Sequence, residues 1–133
     1  VDKIRDKKAE AIFEYYKEAK INRRTYFVSP REFFQANLAV SMKDKRLFGA
    51  FIARVLRLGQ KQKRSLSKKV VLSKGRACES YLITKPLDTI GLYIPRNLPS
   101  SLMYYCTLAK ISGVKKIILA MPPEPNGSIS PFF

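Results

Sequence analysis

Histidine is missing from the sequence, and cysteine occurs only at Cys78 and Cys106. A structural zinc site takes four protein ligands and a catalytic one takes three, so this chain cannot build a zinc site of the usual nitrogen–sulfur kind. The lack of histidine also removes the usual general base of the catalytic triads. Two cysteines so far apart indicate free thiols in a reducing compartment rather than a disulfide framework.

Long apolar segments are missing as well. No run approaches the ~20 residues needed to cross a bilayer, and the charged, helix-like N-terminus does not resemble a signal peptide. Both observations predict a cytoplasmic protein with no membrane partner. The 133 residues (15.2 kDa) have room for one modest domain, and 46% apolar with 27% charged residues is typical of a globular chain.

Acidic residues are scarce. Lysine and arginine number 26 against 10 acids, a net charge of +16, and residues 33–78 contain twelve basic residues and a single acid, Asp44. The excess has two interpretations: solvated helix faces, which is the commoner case, or a basic module that binds nucleic acid or another polyanion. Phe48 and Phe51 lie nearby at helical core spacing, and no recognised nucleic-acid motif accompanies the charge. Polyanion binding is therefore the alternative function.

Three helices are predicted in a helical region over residues 1–65. Residues 1–20 read as one amphipathic helix whose face is formed by Ile4, Lys8, Ala11, Ile12, Tyr15 and Ala19. The run Ser29-Pro30-Arg31-Glu32 is typical of a capping box at the start of a second helix. A third helix is expected over about 45–64, weakened by Gly49 and Gly59. Its apolar side carries Leu47, Phe48, Phe51, Ile52, Val55 and Leu58.

From residue 66 the pattern changes to strands. Short strands are predicted over 69–73 and 80–84, and Thr89–Ile94 reads as a buried strand. A helix over 98–112 and a strand over 117–120 complete a βαβ unit, whose strands should be parallel. The fold class is therefore α/β: N-terminal helices, then an incomplete Rossmann-like parallel sheet in a region over 66–133. We expect one incomplete domain, because parallel sheets need cover on both faces.

One stretch of this second region resembles a known family. Its matching residues are GLYIP at 91–95, LPSS at 98–101, AK at 109–110, GVKKI at 113–117 and PP at 122–123. Together they resemble histidinol dehydrogenase. The resemblance continues more weakly over 1–19, 28–32, 86–87 and 128–131, so it covers the whole chain but only about the first third of a family member.

The resemblance implies a zinc-dependent homodimeric oxidoreductase that converts L-histidinol into L-histidine in two NAD-linked steps of histidine biosynthesis. The zinc ligands and the glutamate–histidine acid/base pair of the family lie beyond this chain, so we assign no catalytic and no metal residues here. We expect the chain alone to be inactive, as a fragment or a decayed copy. The one functional position that matches is Tyr93, the tyrosine that contacts NAD in the family; its alternative is a core tyrosine at a strand end.

The loop after Tyr93 departs from the family. Arg96-Asn97 stands where the family has Gly-Gly, in a loop a few residues shorter. Arg96 loses the freedom of glycine, although it can pair with a pyrophosphate, and Asn97 tolerates a left-handed conformation. We expect NAD binding to be impaired. A third hypothesis is a non-catalytic subunit that docks on a complete partner through the unfinished sheet edge. Cys106, inside the helix after the loop, is expected to be a structural thiol.

Overall fold

The computed structural model of the chain describes residues 2–7, 9–18, 20–21, 26–66 and 68–133. In chain order, these residues form helices and strands with the following bounds: α1 Asp2–Lys7, α2 Ala9–Tyr15, α3 Pro30–Ala39, α4 Met42–Ser65, β1 Lys69–Lys74, β2 Glu79–Ile83, β3 Thr89–Tyr93, α5 Pro99–Ser112 and β4 Lys116–Ala120. None of the described helices is long and apolar enough to span a membrane.

The first helical segment is shorter than the sequence pattern predicts. Helix α2 ends at Tyr15, and Lys20 has a left-handed φ of 55°. Tyr15 is 81% exposed, so the prediction that it lies on a buried face was wrong. The last turn of α2 carries Glu14 and no basic side chain, which is unfavourable at the negative end of the helix dipole. Ala11 and Ile12 are half-buried as predicted; the side chains of Ile4, Lys8 and Ala19 lie outside the described residues.

Helix α3 confirms the predicted capping box. The Ser29 hydroxyl accepts a hydrogen bond from the Glu32 amide at 3.3 Å, and the Ser29 amide donates to Glu32 Oε2 at 2.7 Å. Hydrogen bonds from the Ser29 amide and hydroxyl lower the pKa of Glu32, because they favour the carboxylate. This stabilisation is complete at neutral pH and is lost as the pH falls through the lowered pKa.

Helix α4 begins at the Ser41 cap, where the Asp44 amide donates to Ser41 Oγ at 3.1 Å. It packs against α5, and its Val55 is 4% exposed. Leu47 and Leu58, which the sequence places on the apolar side of this helix, are both exposed. α5 covers a narrower arc of α4 than the apolar residues occupy.

Gly59 lies in the contact between α4 and α5. A Cβ at this position would lie 2.7 Å from Ile111 Cδ1 and 2.8 Å from Leu108 Cδ2. One turn later, Lys63 Nζ donates a hydrogen bond to the Ile111 carbonyl at 2.6 Å. The glycine that weakens the helix in sequence terms therefore permits the contact between the two longest helices.

The strands form two separate two-stranded sheets. β1 and β2 are antiparallel, with an irregularity between Val71 and Ser73, and all their residues are exposed. β3 and β4 are parallel, with Ile90 opposite Ile117 and Leu92 opposite Leu119. The βαβ unit is thus confirmed. Its helix α5 ends at Gly113, whose φ of 99° is the left-handed conformation of a glycine C-cap.

The core is small for a chain of this length. The most buried apolar side chains among the described residues are Ile94 (1% exposed), Val55 and Ala109. The chain exposes 11271 Å², whereas a compact monomer of this mass would expose roughly 7,100 Å². Much of its apolar surface therefore has no cover within the chain. The division into regions 1–65 and 66–133 stays a prediction, although α4 of the first packs on α5 of the second.

The two glycines of α4 provide a matched test of the helix contact. Gly49 has nothing within 4 Å of an added Cβ, so Gly49→Gln should raise the free energy of unfolding by up to about 1 kcal/mol through helix propensity. Gly59→Gln should lower it by about 1–3 kcal/mol, because the new side chain displaces Leu108 and Ile111. Urea unfolding followed by circular dichroism measures both. Equal effects of the two substitutions would contradict the contact.

Candidate functional site

Ligands of open α/β sheets bind beyond the carboxyl ends of the strands. Here that edge consists of the loop over 94–98, after β3, and the segment over 121–133, after β4. Tyr93 is the last residue of β3, and 68% of it is exposed. The next residue, Ile94, is fully buried, and its amide donates to the Ala120 carbonyl at 2.9 Å. Tyr93 therefore lies on the outer side of a firmly held strand end and is not a core side chain in this structure.

Arg96 links the two segments of this edge. Its Nη2 donates a hydrogen bond to the Pro123 carbonyl, and its Nε lies 3.9 Å from Glu124 Oε2. Both side chains of this ion pair are about one-third exposed, so its net contribution to stability is at most about 1 kcal/mol. Glu124 offsets part of the Arg96 charge, and the Pro123 carbonyl accepts from one of the five guanidinium donors. A pyrophosphate would have to compete with them for Arg96.

Asn97 preserves the backbone shape that glycine allows. Its φ is 71°, in the left-handed region that asparagine tolerates better than most residues. The loop then leads into α5, whose N-cap Leu98 makes no side-chain cap hydrogen bond. Asn97 therefore adopts the left-handed turn conformation that a glycine pair would also allow.

The segment after β4 forms a tight turn over residues 124–128, on the other side of this edge from the loop over 94–98. The Glu124 amide donates to the Ser128 carbonyl at 2.8 Å, and the Asn126 side chain accepts from the Ser128 amide at 3.0 Å. Arg96, Glu124 and Ile129 line a small cleft below this turn. The residues of this cleft come from segments that lie 27 or more positions apart in the chain. The sequence alone therefore did not predict it.

A shallow groove between α4 and α5 was also missed by sequence reasoning. It is lined by Phe51, Ser100, Ser101, Tyr104 and Tyr105. Phe51 was predicted to be a packing residue, and it is half-buried. The serine hydroxyls at the start of α5 give the groove its polar groups, but no described side chain places a charge in it.

The described residues do not fit a zinc ion. They bring no three histidine, cysteine, aspartate or glutamate side chains together, and the whole sequence has no histidine. Cys106 is half-buried in α5, and burial raises the pKa of its thiol, opposed in part by the Lys110 charge. A thiol with a raised pKa is a poor nucleophile, in keeping with a structural role.

Comparison with known proteins identifies the family. The family model described as histidinol dehydrogenase matches residues 1–133. The chain belongs to the histidinol dehydrogenase family. The histidinol dehydrogenase of Thermococcus kodakarensis is 31% identical over 134 residues, covering 99% of this chain and 34% of the relative. That of Heliobacterium mobile is 28% identical over 138 residues, covering 99% of this chain and 32% of the relative.

Structural comparison supports the same fold. The crystal structure of histidinol dehydrogenase from Elizabethkingia anophelis is similar to this chain, with a TM-score of 0.78 and 22% sequence identity. The match covers 98% of this chain and 30% of the chain in that crystal structure. The parallel β3–β4 pair is therefore part of an α/β fold shared with that histidinol dehydrogenase structure. This chain spans about a third of the length of the family members it matches.

The turn at Asn97 can be tested by two substitutions. Asn97→Ala should lower the free energy of unfolding by about 1 kcal/mol, because the left-handed conformation is less favourable for alanine than for asparagine. Asn97→Gly should leave the stability within about 0.5 kcal/mol of the parent, because glycine adopts this conformation without steric cost. Thermal unfolding of the three proteins gives the comparison. Equal stability of the alanine and glycine variants would contradict the assigned turn.

The two thiols should differ in reactivity. Cys78 is exposed, and Cys106 is half-buried with a raised pKa. We expect a chromogenic disulfide reagent to modify Cys106 about tenfold or more slowly than Cys78 at neutral pH, because less thiolate is present and access is poorer. Cys78→Ser should remove the fast phase, and Cys106→Ser the slow one. Equal rates of modification of the two thiols would contradict the half-buried position of Cys106.

Proposed function

We propose that this chain supplies the N-terminal third of a histidinol dehydrogenase, an NAD- and zinc-dependent oxidoreductase that converts L-histidinol into L-histidine in histidine biosynthesis. The family match over residues 1–133 supports this assignment. The chain's own residues offer no zinc site and no acid/base pair of the family's kind. Those groups are supplied by the part of the fold that follows this region in the longer relatives.

The open face of the parallel sheet is the observation that carries the proposal. Side chains alternate along a strand, and Ile90 and Leu92 lie on the half-buried face. The opposite face carries Gly91, Tyr93 and Ile118, all exposed. Parallel sheets are covered on both faces in stable proteins. The remaining two-thirds of the histidinol dehydrogenase fold is the cover that this face requires, and the homodimer of the family forms after that assembly.

Tyr93 is the residue of this chain that we assign to NAD. It lies where the open face meets the carboxyl edge of β3, so its ring is available to a ligand there. When bound, NAD accepts a hydride from the substrate carbon. The contribution of this chain is to position the cofactor through Tyr93 and the loop that follows. Because Arg96 is held by Glu124 and Pro123, we expect NAD to bind less tightly than to a family member with the glycine pair.

Complementation tests the assignment. The residues that follow the matched region in the Thermococcus kodakarensis relative are produced as a separate chain and mixed with this protein, zinc, NAD and L-histidinol. We expect no NADH from either chain alone, because neither holds the complete site, and NADH from the mixture. Oxidation of histidinol by the 133-residue chain alone would refute the expectation that this chain is inactive by itself. A mixture that associates but stays inactive would refute the proposed function.

Substitution of Tyr93 tests its role in the assembled enzyme. Tyr93→Ala should raise the KM for NAD about tenfold, the loss of one aromatic contact of about 1.4 kcal/mol, and leave the KM for histidinol unchanged. Tyr81→Ala, which removes an exposed tyrosine of β2, serves as the matched control and should change neither constant. An unchanged KM for NAD in the Tyr93 variant would contradict the assignment.

A further inference from the structure

One face of α4 carries a row of positive charge with a gap of eight residues, about 12 Å, between Arg46 and Arg54. The row, called the basic stripe here, consists of Lys43, Arg46, Arg54, Arg57, Lys61 and Arg64. At 3.6 residues per turn these six positions lie within about 80° of one another around the helix, and at 1.5 Å per residue they extend over about 32 Å. All six are exposed. The buried Val55 and Gly59 lie on the opposite side of the helix, so the stripe faces away from α5.

The fold does not use the cations of the stripe. Within the described part of the chain, no carboxylate lies within ion-pair distance of any of the six. The other two basic residues of α4 lie off the stripe and are hydrogen-bonded: Lys45 Nζ to Asn37 Oδ1 at 3.1 Å, and Lys63 Nζ to the Ile111 carbonyl at 2.6 Å. The acid of the helix, Asp44, also lies off the stripe and accepts from Ser41. Among the residues that the structure describes, the stripe is therefore a surface of one sign without an ion-pair partner.

We propose that the basic stripe of α4 binds the phosphodiester backbone of a nucleic acid, a function separate from histidinol oxidation. Four of its six residues are arginines, whose forked guanidinium matches phosphate oxygens. The run from Arg54 through Arg57 and Lys61 to Arg64 places a cation every three or four residues, about 5 Å apart along the axis. A regular row of this kind matches a partner whose negative charges also repeat at short intervals.

A membrane surface fits this face less well than a nucleic acid. A helix that binds at a lipid interface inserts a broad apolar face. In α4 the central apolar residues face α5, which leaves Leu47 and Leu58 beside the stripe. The contact we propose is therefore electrostatic and made to backbone phosphates. It carries no base specificity, because base edges are read by groups that enter the grooves.

Salt dependence is the first measurement. A fluorescein-labelled mixed-sequence RNA strand and a DNA duplex are titrated with the protein by fluorescence anisotropy at several salt concentrations. If all six cations contact phosphates, log K should fall with log salt with a slope of about −4 for single strands and about −5 for duplex DNA. Absence of binding to both probes, or a slope near zero, would overturn the proposal. The two probes also show whether single strands or duplexes are preferred.

Two variants of equal net charge locate the surface. The stripe variant is Arg54→Gln/Arg57→Gln/Lys61→Gln/Arg64→Gln. The control variant is Lys74→Gln/Lys85→Gln/Lys110→Gln/Lys116→Gln, four exposed positions outside α4. The stripe variant should bind at least about tenfold more weakly at the same salt, with a slope shallower by about 3, whereas the control should stay within about threefold of the parent. Equal losses in both variants would mean diffuse attraction and overturn the proposal.

Lysine labelling tests the unmodified chain and does not depend on the folding of a variant. Bound RNA should protect Lys43 and Lys61 from acetylation and leave Lys74 and Lys110 as reactive as in the free protein, as measured by mass spectrometry. Equal protection of all four lysines from acetylation, or protection of none, would contradict binding at the basic stripe. Vesicles of phosphatidylcholine with phosphatidylserine form the last arm. Binding to vesicles that requires the stripe, without binding to RNA or DNA, would also overturn the proposal.

Discussion

The close contact of α4 with α5 at Gly59 is the interaction on which the packing of the two longest helices depends. Leu108 and Ile111 occupy the space that a Cβ at Gly59 would need, and Lys63 holds the carbonyl of Ile111 in the last turn of α5. Helix α5 is also the crossover between β3 and β4. A βαβ connection places its helix over one face of the sheet, so α4 packs on the helix that joins the two parallel strands.

The parallel pair is more exposed on one face than on the other. α4 packs on α5, which connects β3 with β4. The more exposed face of the two strands carries Gly91, Tyr93 and Ile118. The edge that carries Tyr93 and the face that needs cover are contiguous. The proposed roles of this chain in cofactor contact and in assembly therefore meet at one strand end.

Local signals in the sequence were sufficient for much of the fold. The capping box at Ser29 and the βαβ unit with its glycine stop at Gly113 depend on neighbours in the chain, and each was predicted. The exposure of Leu47 and Leu58 was not, because it depends on how wide an arc of α4 is covered by α5. The contact of Arg96 with Glu124 and the close approach at Gly59 join distant segments, and a single sequence carries no signal for such pairs. Tyr93 as a cofactor residue rests on family resemblance, and its exposure is compatible with that role.

The β1–β2 ribbon bears on how copies of this chain could pair through their strand edges. Its strands are paired only with each other, so each has a free edge that could recruit a strand from another molecule. Lysines stand at both ends of β1, at Lys69 and Lys74, and the irregularity after Val71 interrupts its ladder. Charge and a broken edge are the devices that natural sheets use against aggregation through strand addition. The ribbon thereby discourages self-pairing among copies that all carry the same strong positive charge.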